Sequence, residues 1–159
     1  MAVNCRFDHQ FMLIVQSSVY TVIMKKAITI LIADDNHFLR ESLRFLIRYE
    51  ENLKLVGEAV SGMEAISLAR ELTPDVVLMD INMSPVNGFE ATRKILKHNP
   101  SAKIIGLSAH NQPSYAKNIL QLGAKGYLTK SSTHKEIIRA INEVANGKEY
   151  ICTELNDML

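Results

Sequence analysis

At 159 residues the chain has the length of one domain and can bury a full core. Hydrophobic residues at 47% and charged residues at 22% exclude a disordered or collagen-like chain, and a net charge of +1 excludes the basic stripe on which nucleic-acid affinity rests. The two cysteines, Cys5 and Cys152, are too few and too far apart for a disulfide framework or a zinc site, and they suit a reducing compartment.

Residues 1–26 read as an N-terminal extension, with Met24-Lys25-Lys26 as the natural start. Phe11 to Met24 is apolar, but Gln16, Ser17, Ser18 and Thr21 interrupt it short of the roughly 20 residues a membrane span needs. Arg6 followed by Asp8 and the lack of an A-x-A pattern do not make a signal peptide. A cytoplasmic chain without membrane contact is the expectation.

From Ala27 to Tyr150, short β-branched runs alternate with amphipathic stretches, the pattern of βαβ units in a parallel sheet. The first run, Ile28 to Ile32, is almost uniformly apolar, as expected for a strand covered on both faces, and ends at Asp34-Asp35. Phe38, Leu39, Leu43, Leu46 and Ile47 then recur at helical spacing opposite Arg40, Glu41, Arg44 and Arg48. A second strand is predicted from Leu53 to Val60, and Ser61-Gly62-Met63-Glu64 is a capping box opening a helix that Pro74 ends. Val76 to Met79 form a third apolar strand ending at Asp80, and a third helix follows Asn87-Gly88. The fourth strand, Lys103 to Leu107, stops at Ser108; Pro113 suits the first turn of the next helix and Gly123 its end. Lys125 to Leu128 make a fifth strand leading to Lys130. Thr133-His134-Lys135-Glu136 is a second capping box, and Gly147 closes the last helix. Five strands and five helices in alternation predict an α/β fold, a doubly wound five-stranded parallel sheet of the flavodoxin-like (βα)5 type.

Ligands of such sheets bind beyond the carboxyl ends of the strands, and there Asp34, Asp35, Asp80, Ser108 and Lys130 converge. Three carboxylates held together repel one another unless a cation joins them, and an oxygen-rich, hydrated site favours Mg²⁺. A lysine opposite supplies a point charge for phosphate oxygens, and a serine hydroxyl adds a hydrogen bond. Either aspartate of the Asp34-Asp35 pair, taken alone, would more simply cap the first helix; the company of Asp80 and Lys130 favours a metal site.

These residues resemble those of response-regulator receiver domains of bacterial two-component systems. The matching elements are Asp34-Asp35, the D-I-N-M run from Asp80 with Asn87-Gly88 beyond it, Ser108-Ala109, and Gly126-Tyr127-Leu128-Thr129-Lys130. The resemblance covers Ile28 to Gly147. It implies that Asp80 is the nucleophile taking phosphoryl from a sensor histidine kinase. It further implies that Asp35 and Asp80 ligate Mg²⁺ directly, Asn82 through its main-chain carbonyl and Asp34 through water, while Lys130 and Ser108 hold the phosphoryl oxygens. Ser108 and Tyr127 are the implied switch pair; Tyr127 also reads as a half-buried strand residue. Asn82 and His110 flank the site where the family varies, and are implied to set signal lifetime.

Two positions depart from the common pattern: Ser84 precedes Pro85 where a proline is frequent, and Ser131 follows the lysine in place of a proline, with no cis bond expected there. His98, His110 and His134 lack metal-ligand spacing. The implied molecule is a switch rather than an enzyme, catalysing only its own phosphorylation and dephosphorylation. The segment Val144 to Tyr150 resembles the receiver end of LuxR-type (NarL/FixJ-like) regulators. Residues 151–159 are then a tail or the start of a linker to an output domain outside this sequence, with DNA bound only by that domain. A stand-alone regulator acting through protein contacts is the alternative, and a second receiver is an implied dimer mate. Of competing classes, a flavin-phosphate binder needs a Ser-, Thr- or Gly-rich loop where Asp34-Asp35-Asn36-His37 stands, and an aspartate phosphatase needs a different acid spacing.

Overall fold

The computed structural model describes residues 26–156. Twelve elements follow one another: β1 (Ile28–Ala33), α1 (His37–Arg48), β2 (Leu53–Ala59), α2 (Gly62–Leu72), β3 (Val76–Asp80), α3 (Gly88–His98), β4 (Ile104–Ser108), α4 (Pro113–Gln121), β5 (Gly126–Thr129), α5 (His134–Ala145), β6 (Tyr150–Ile151) and α6 (Thr153–Asn156). The strands form one parallel sheet in the order β2-β1-β3-β4-β5-β6. The flavodoxin-like arrangement expected from the alternation is present, extended by a sixth strand of two residues at the β5 edge.

The continuous apolar runs are central strands. Every residue of β3 and β4 is buried, as are Ile30 to Ala33 of β1. Each apolar helix stripe faces this core, with Leu43, Leu46 and Ile47 buried on α1 and Ile137, Ala140, Ile141 and Val144 on α5. The helices start where short polar side chains accept free backbone N–H groups: Ser61 for α2, Asn87 for α3 and Thr133 for α5. Asn36 caps α1, accepting from the N–H groups of Phe38 and Leu39, so neither aspartate of the doublet serves that purpose. Pro113 opens α4 as expected, and the left-handed backbone at Gly123 and Gly147 suits glycine just after a helix.

The two capping boxes close differently from the sequence pattern. Glu64 accepts from the N–H of Val60 at 2.7 Å, one residue outside the cap. Glu136 turns away from Thr133 altogether and accepts from Thr153 in the C-terminal segment. Among the described residues the cis peptide is Ser84–Pro85, and none precedes Ser131. No helix of the described residues is long and apolar enough to cross a membrane, and Phe11 to Met24 lie outside them.

The strand order reverses beside β1, with β2 on one side and β3 on the other. In an open parallel sheet this switch point leaves a crevice past the carboxyl ends of the strands. Asp34 and Asp35 follow β1 and Asp80 ends β3, so the acidic residues lie at that crevice.

Candidate functional site

β1 and β3 pair in register from Ile30↔Val76 to Ala33↔Met79, which carries the next residues, Asp34 and Asp80, side by side at the sheet rim. Asp35 completes the cluster: one carboxylate oxygen from each of Asp34, Asp35 and Asp80 lies within 4.8 Å of the others. Asp34 and Asp80 are buried and Asp35 is exposed, so the group has a closed floor and an open mouth.

Lys130 reaches the cluster from the far side of β4. Its Nζ lies 2.7 Å from Asp34 Oδ2 and 2.9 Å from Asp80 Oδ2. The backbone fixes this approach, because β4 and β5 pair up to Ser108↔Thr129 and the Lys130 N–H donates to the Ser108 carbonyl at 2.7 Å. Further donors orient the acids: the Asn36 N–H donates to Asp34 Oδ1 at 2.7 Å, and the Asn82 N–H to Asp80 Oδ1 at 3.0 Å.

One ammonium does not balance three carboxylates. Burial pushes the Asp34 carboxyl above the usual aspartate range and the Asp80 charge adds to that, while Lys130 and the Asn36 N–H pull the other way. For Lys130 burial opposes the charge, but hydrogen bonds and attraction from Asp34 and Asp80 prevail and hold its pKa above the ordinary lysine value. Asp34 Oδ2 is fully buried with Lys130 Nζ at 2.7 Å as its close partner, an ion pair that leaves acceptor capacity on this oxygen. A hard cation with oxygen ligands fits this donor set.

Ser108 is fully buried at the end of β4, and its Oγ accepts from the His110 N–H at 3.0 Å. Tyr127 is buried inside the sheet edge rather than half-exposed, and its hydroxyl donates to the His110 carbonyl at 2.8 Å. Burial raises the Tyr127 pKa, with a hydrogen bond to Ser108 opposing, so the phenol remains a donor. His110 is therefore fixed through its backbone at both ends, while its ring stacks on Tyr115 at 6.0 Å, which stacks in turn on Phe89. Every residue singled out from the sequence lies at this one rim or in the loops around it.

Sequence reasoning missed the roles of two contributors, Arg40 and Asn36. Arg40 donates through Nη1 to the Asp34 carbonyl at 2.9 Å and lies 3.6 Å from Glu58, holding the β1–α1 loop. Its signal was a guanidinium near the start of a helix that begins at the rim. At Gly88, already singled out with Asn87, an added Cβ would stand 2.2 Å from the Asp80 carbonyl oxygen, so only glycine lets α3 start against the end of β3. Asn36, next to the doublet, was hidden by the two aspartates that compete for the cap role.

Residues 30–142 match the family model described as response regulator receiver domain. The chain is 36% identical over 132 residues to the response regulator GacA of Pseudomonas aeruginosa, an overlap of 83% of this chain and 62% of that protein. It is 40% identical over 124 residues to the transcriptional regulatory protein DegU of Brevibacillus brevis, covering 78% of this chain and 52% of DegU. The chain thus spans between half and two thirds of these relatives. A crystal structure of a LuxR-family two-component response regulator from Aurantimonas sp. SI85-9A1 superposes with a TM-score of 0.80 at 33% identity, over 83% of this chain and 94% of that one.

Proposed function

This chain belongs to the response regulator receiver domain family, in its LuxR-type branch, and from that premise we propose that Asp80 is its phosphoacceptor. The observation that carries the reading is the cluster of three carboxylates within 4.8 Å faced by Lys130 Nζ at 2.7 and 2.9 Å. An Asp80 carboxylate oxygen attacks the phosphorus of a phosphohistidine on a sensor kinase. The new P–O bond forms as the P–N bond breaks, and the histidine nitrogen leaves with the electron pair. The chain's own work is in-line positioning and neutralisation of charge spread over the phosphoryl oxygens.

Asp35 and Asp80 would hold Mg²⁺ directly, joined by the main-chain oxygen of Asn82 and by Asp34 through water. The ion supplies the positive charge that the cluster is short of and orients the phosphoryl oxygens. Lys130 moves its ammonium from the carboxylates toward the phosphoryl group, and Ser108 donates its hydroxyl to the same group. Asn82 and His110, at the mouth, govern the access of the water that hydrolyses the acyl phosphate. The added charge biases a two-state arrangement of Ser108 and Tyr127. The inward Tyr127 ring, with its hydroxyl on the His110 carbonyl, supports that reading.

The partners of this reading are a sensor histidine kinase and a second receiver, in the cytoplasm. The output is transcription through a LuxR-type DNA-binding domain, which the names of DegU and of the Aurantimonas regulator support. The test is mass spectrometry after incubation with acetyl phosphate and Mg²⁺. A gain of about 80 Da for one phosphoryl is expected in the wild type and none in Asp80→Asn or after chelation. A gain that persists in Asp80→Asn overturns the assignment.

A further inference from the structure

The C-terminal segment Lys148 to Asn156 is fastened to both halves of the rim by bonds that converge on Tyr127 and on the β4–α4 loop. β6 pairs with β5 through Gly126↔Tyr150 and Tyr127↔Ile151, and the Cys152 N–H donates to the Tyr127 carbonyl at 2.9 Å. Cys152 and Leu155 are fully buried beneath the segment. Glu136 Oε1 accepts from the Thr153 N–H at 2.7 Å, the Thr153 hydroxyl at 2.9 Å and the Tyr150 hydroxyl at 3.4 Å. Across the gap, Asn111 Nδ2 donates to Glu154 Oε1 at 2.9 Å.

Tyr127 therefore has a grip at each end, its hydroxyl on the His110 carbonyl and its main-chain carbonyl on the segment. The loop after β4 has two as well: Ser108 Oγ takes the His110 N–H, and Asn111 reaches Glu154. Four hydrogen bonds, Ser108–His110, His110–Tyr127, Tyr127–Cys152 and Glu154–Asn111, together with the short chain stretches 108–111 and 152–154, close a ring. All four bonds are made together with the tyrosine inward and the segment docked against β5.

We propose that residues 148–156 are a latch whose docking and the phosphoryl group on Asp80 favour each other. The proposal rests on the phosphoacceptor reading above and deepens it. Linkage makes the coupling reciprocal: a group that draws Ser108 and its loop inward tightens the latch, and an intact latch raises affinity at Asp80 by the same factor. The latch carries the state of the rim into whatever chain follows Asn156.

The experiment uses the full chain with Mg²⁺ and beryllofluoride, a phosphoryl mimic. Hydrogen exchange at the amides of Tyr150 to Asn156 should slow when beryllofluoride is added. Asn111 and Glu154 are exposed, so Asn111→Ala and Glu154→Ala should fold and can be combined in a double-mutant cycle. Each variant should weaken beryllofluoride binding about fivefold, the low end of typical allosteric coupling, and the double variant no further. Thr153→Val, which removes the hydroxyl bond to Glu136 away from the loop, should give the same direction of change. If beryllofluoride binds normally but latch exchange does not change, or if the two alanine effects simply add, the latch is overturned while the phosphoacceptor reading stands. If beryllofluoride fails to bind the wild type at all, the phosphoacceptor reading fails first and takes the latch with it.

Discussion

The molecule holds acidic side chains in two settings, one buried and one half-buried, that are built in opposite ways. At the rim, Asp34 shares one ammonium with Asp80 and has a second carboxylate at its side, and burial raises its pKa. At the latch, burial also works against the Glu136 charge, but the Thr153 N–H and hydroxyl, Ser132 and Tyr150 outweigh it and hold the carboxyl below the ordinary glutamate range. Neutral donors carried by the chain itself satisfy the Glu136 charge without any added ion. A surplus of carboxylates over cations makes a site that is relieved only when a further positive charge arrives. The contrast separates an acid whose charge the chain itself satisfies from acids that leave a charge unbalanced.

The sharpest way to break that contrast is to remove the rim's lysine. Lys130→Met leaves Asp34 and Asp80 buried without a cation, and breaking such a pair should cost about 3 kcal/mol of unfolding free energy in chelator. Saturating Mg²⁺ should recover most of it, because binding to the folded state adds stability by mass action. Urea unfolding with and without Mg²⁺ measures both quantities, and an equal loss in the two conditions would mean that the lysine acts by packing alone. Next in size, Glu136→Ala removes an ionised acceptor from three donors and should cost about 2 kcal/mol. Unlike the lysine variant, it should be indifferent to Mg²⁺, with faster hydrogen exchange from Tyr150 to Asn156 as its signature. Recovery of the Glu136→Ala loss by Mg²⁺ would erase the distinction between the two settings.

The rim was legible in the sequence because buried strands advertise themselves. Ile28 to Ile32, broken only by Thr29, and Val76 to Met79 are apolar runs, so the acids that end them must sit at one edge of the sheet. Lys130 and Ser108 were found the same way, as polar residues closing runs that pair in register. The latch was not legible. Two residues of β6 carry no periodicity, and its existence depends on an edge strand that only the folded sheet supplies. Glu136 misled for a related reason: its place three residues after Thr133 satisfies a capping pattern, yet the tail brings it better donors from 17 residues away. Tyr127 carried both a half-buried strand reading and a switch reading; it does lie on a strand, but it is completely buried with its hydroxyl on the His110 carbonyl.

The smallest expected effect sharpens the comparison most, because its sign is counterintuitive. Asp34→Asn keeps an oxygen for the Asn36 N–H and leaves Lys130 paired with Asp80, while removing one charge from a cluster that has too many. A carboxyl whose pKa is raised on folding contributes stability that is fully present below its unfolded value, near 3.8, and is lost as pH rises through its higher folded value. At pH 7 in chelator the wild type therefore carries the full penalty of the buried charge, and the variant should be more stable by about 1 kcal/mol, a rise in Tm of about 3 °C. The gain should shrink as pH falls toward 4, where the wild-type carboxyl takes up its proton. It should vanish or reverse in saturating Mg²⁺, where the wild type regains through the ion what it loses without one. Calorimetry at pH 7 and pH 4, each with chelator and with Mg²⁺, reads all four corners. A Tm at or below that of the wild type at pH 7 in chelator would mean that one lysine already balances the cluster, and the rim would then be no more in need of a cation than the latch.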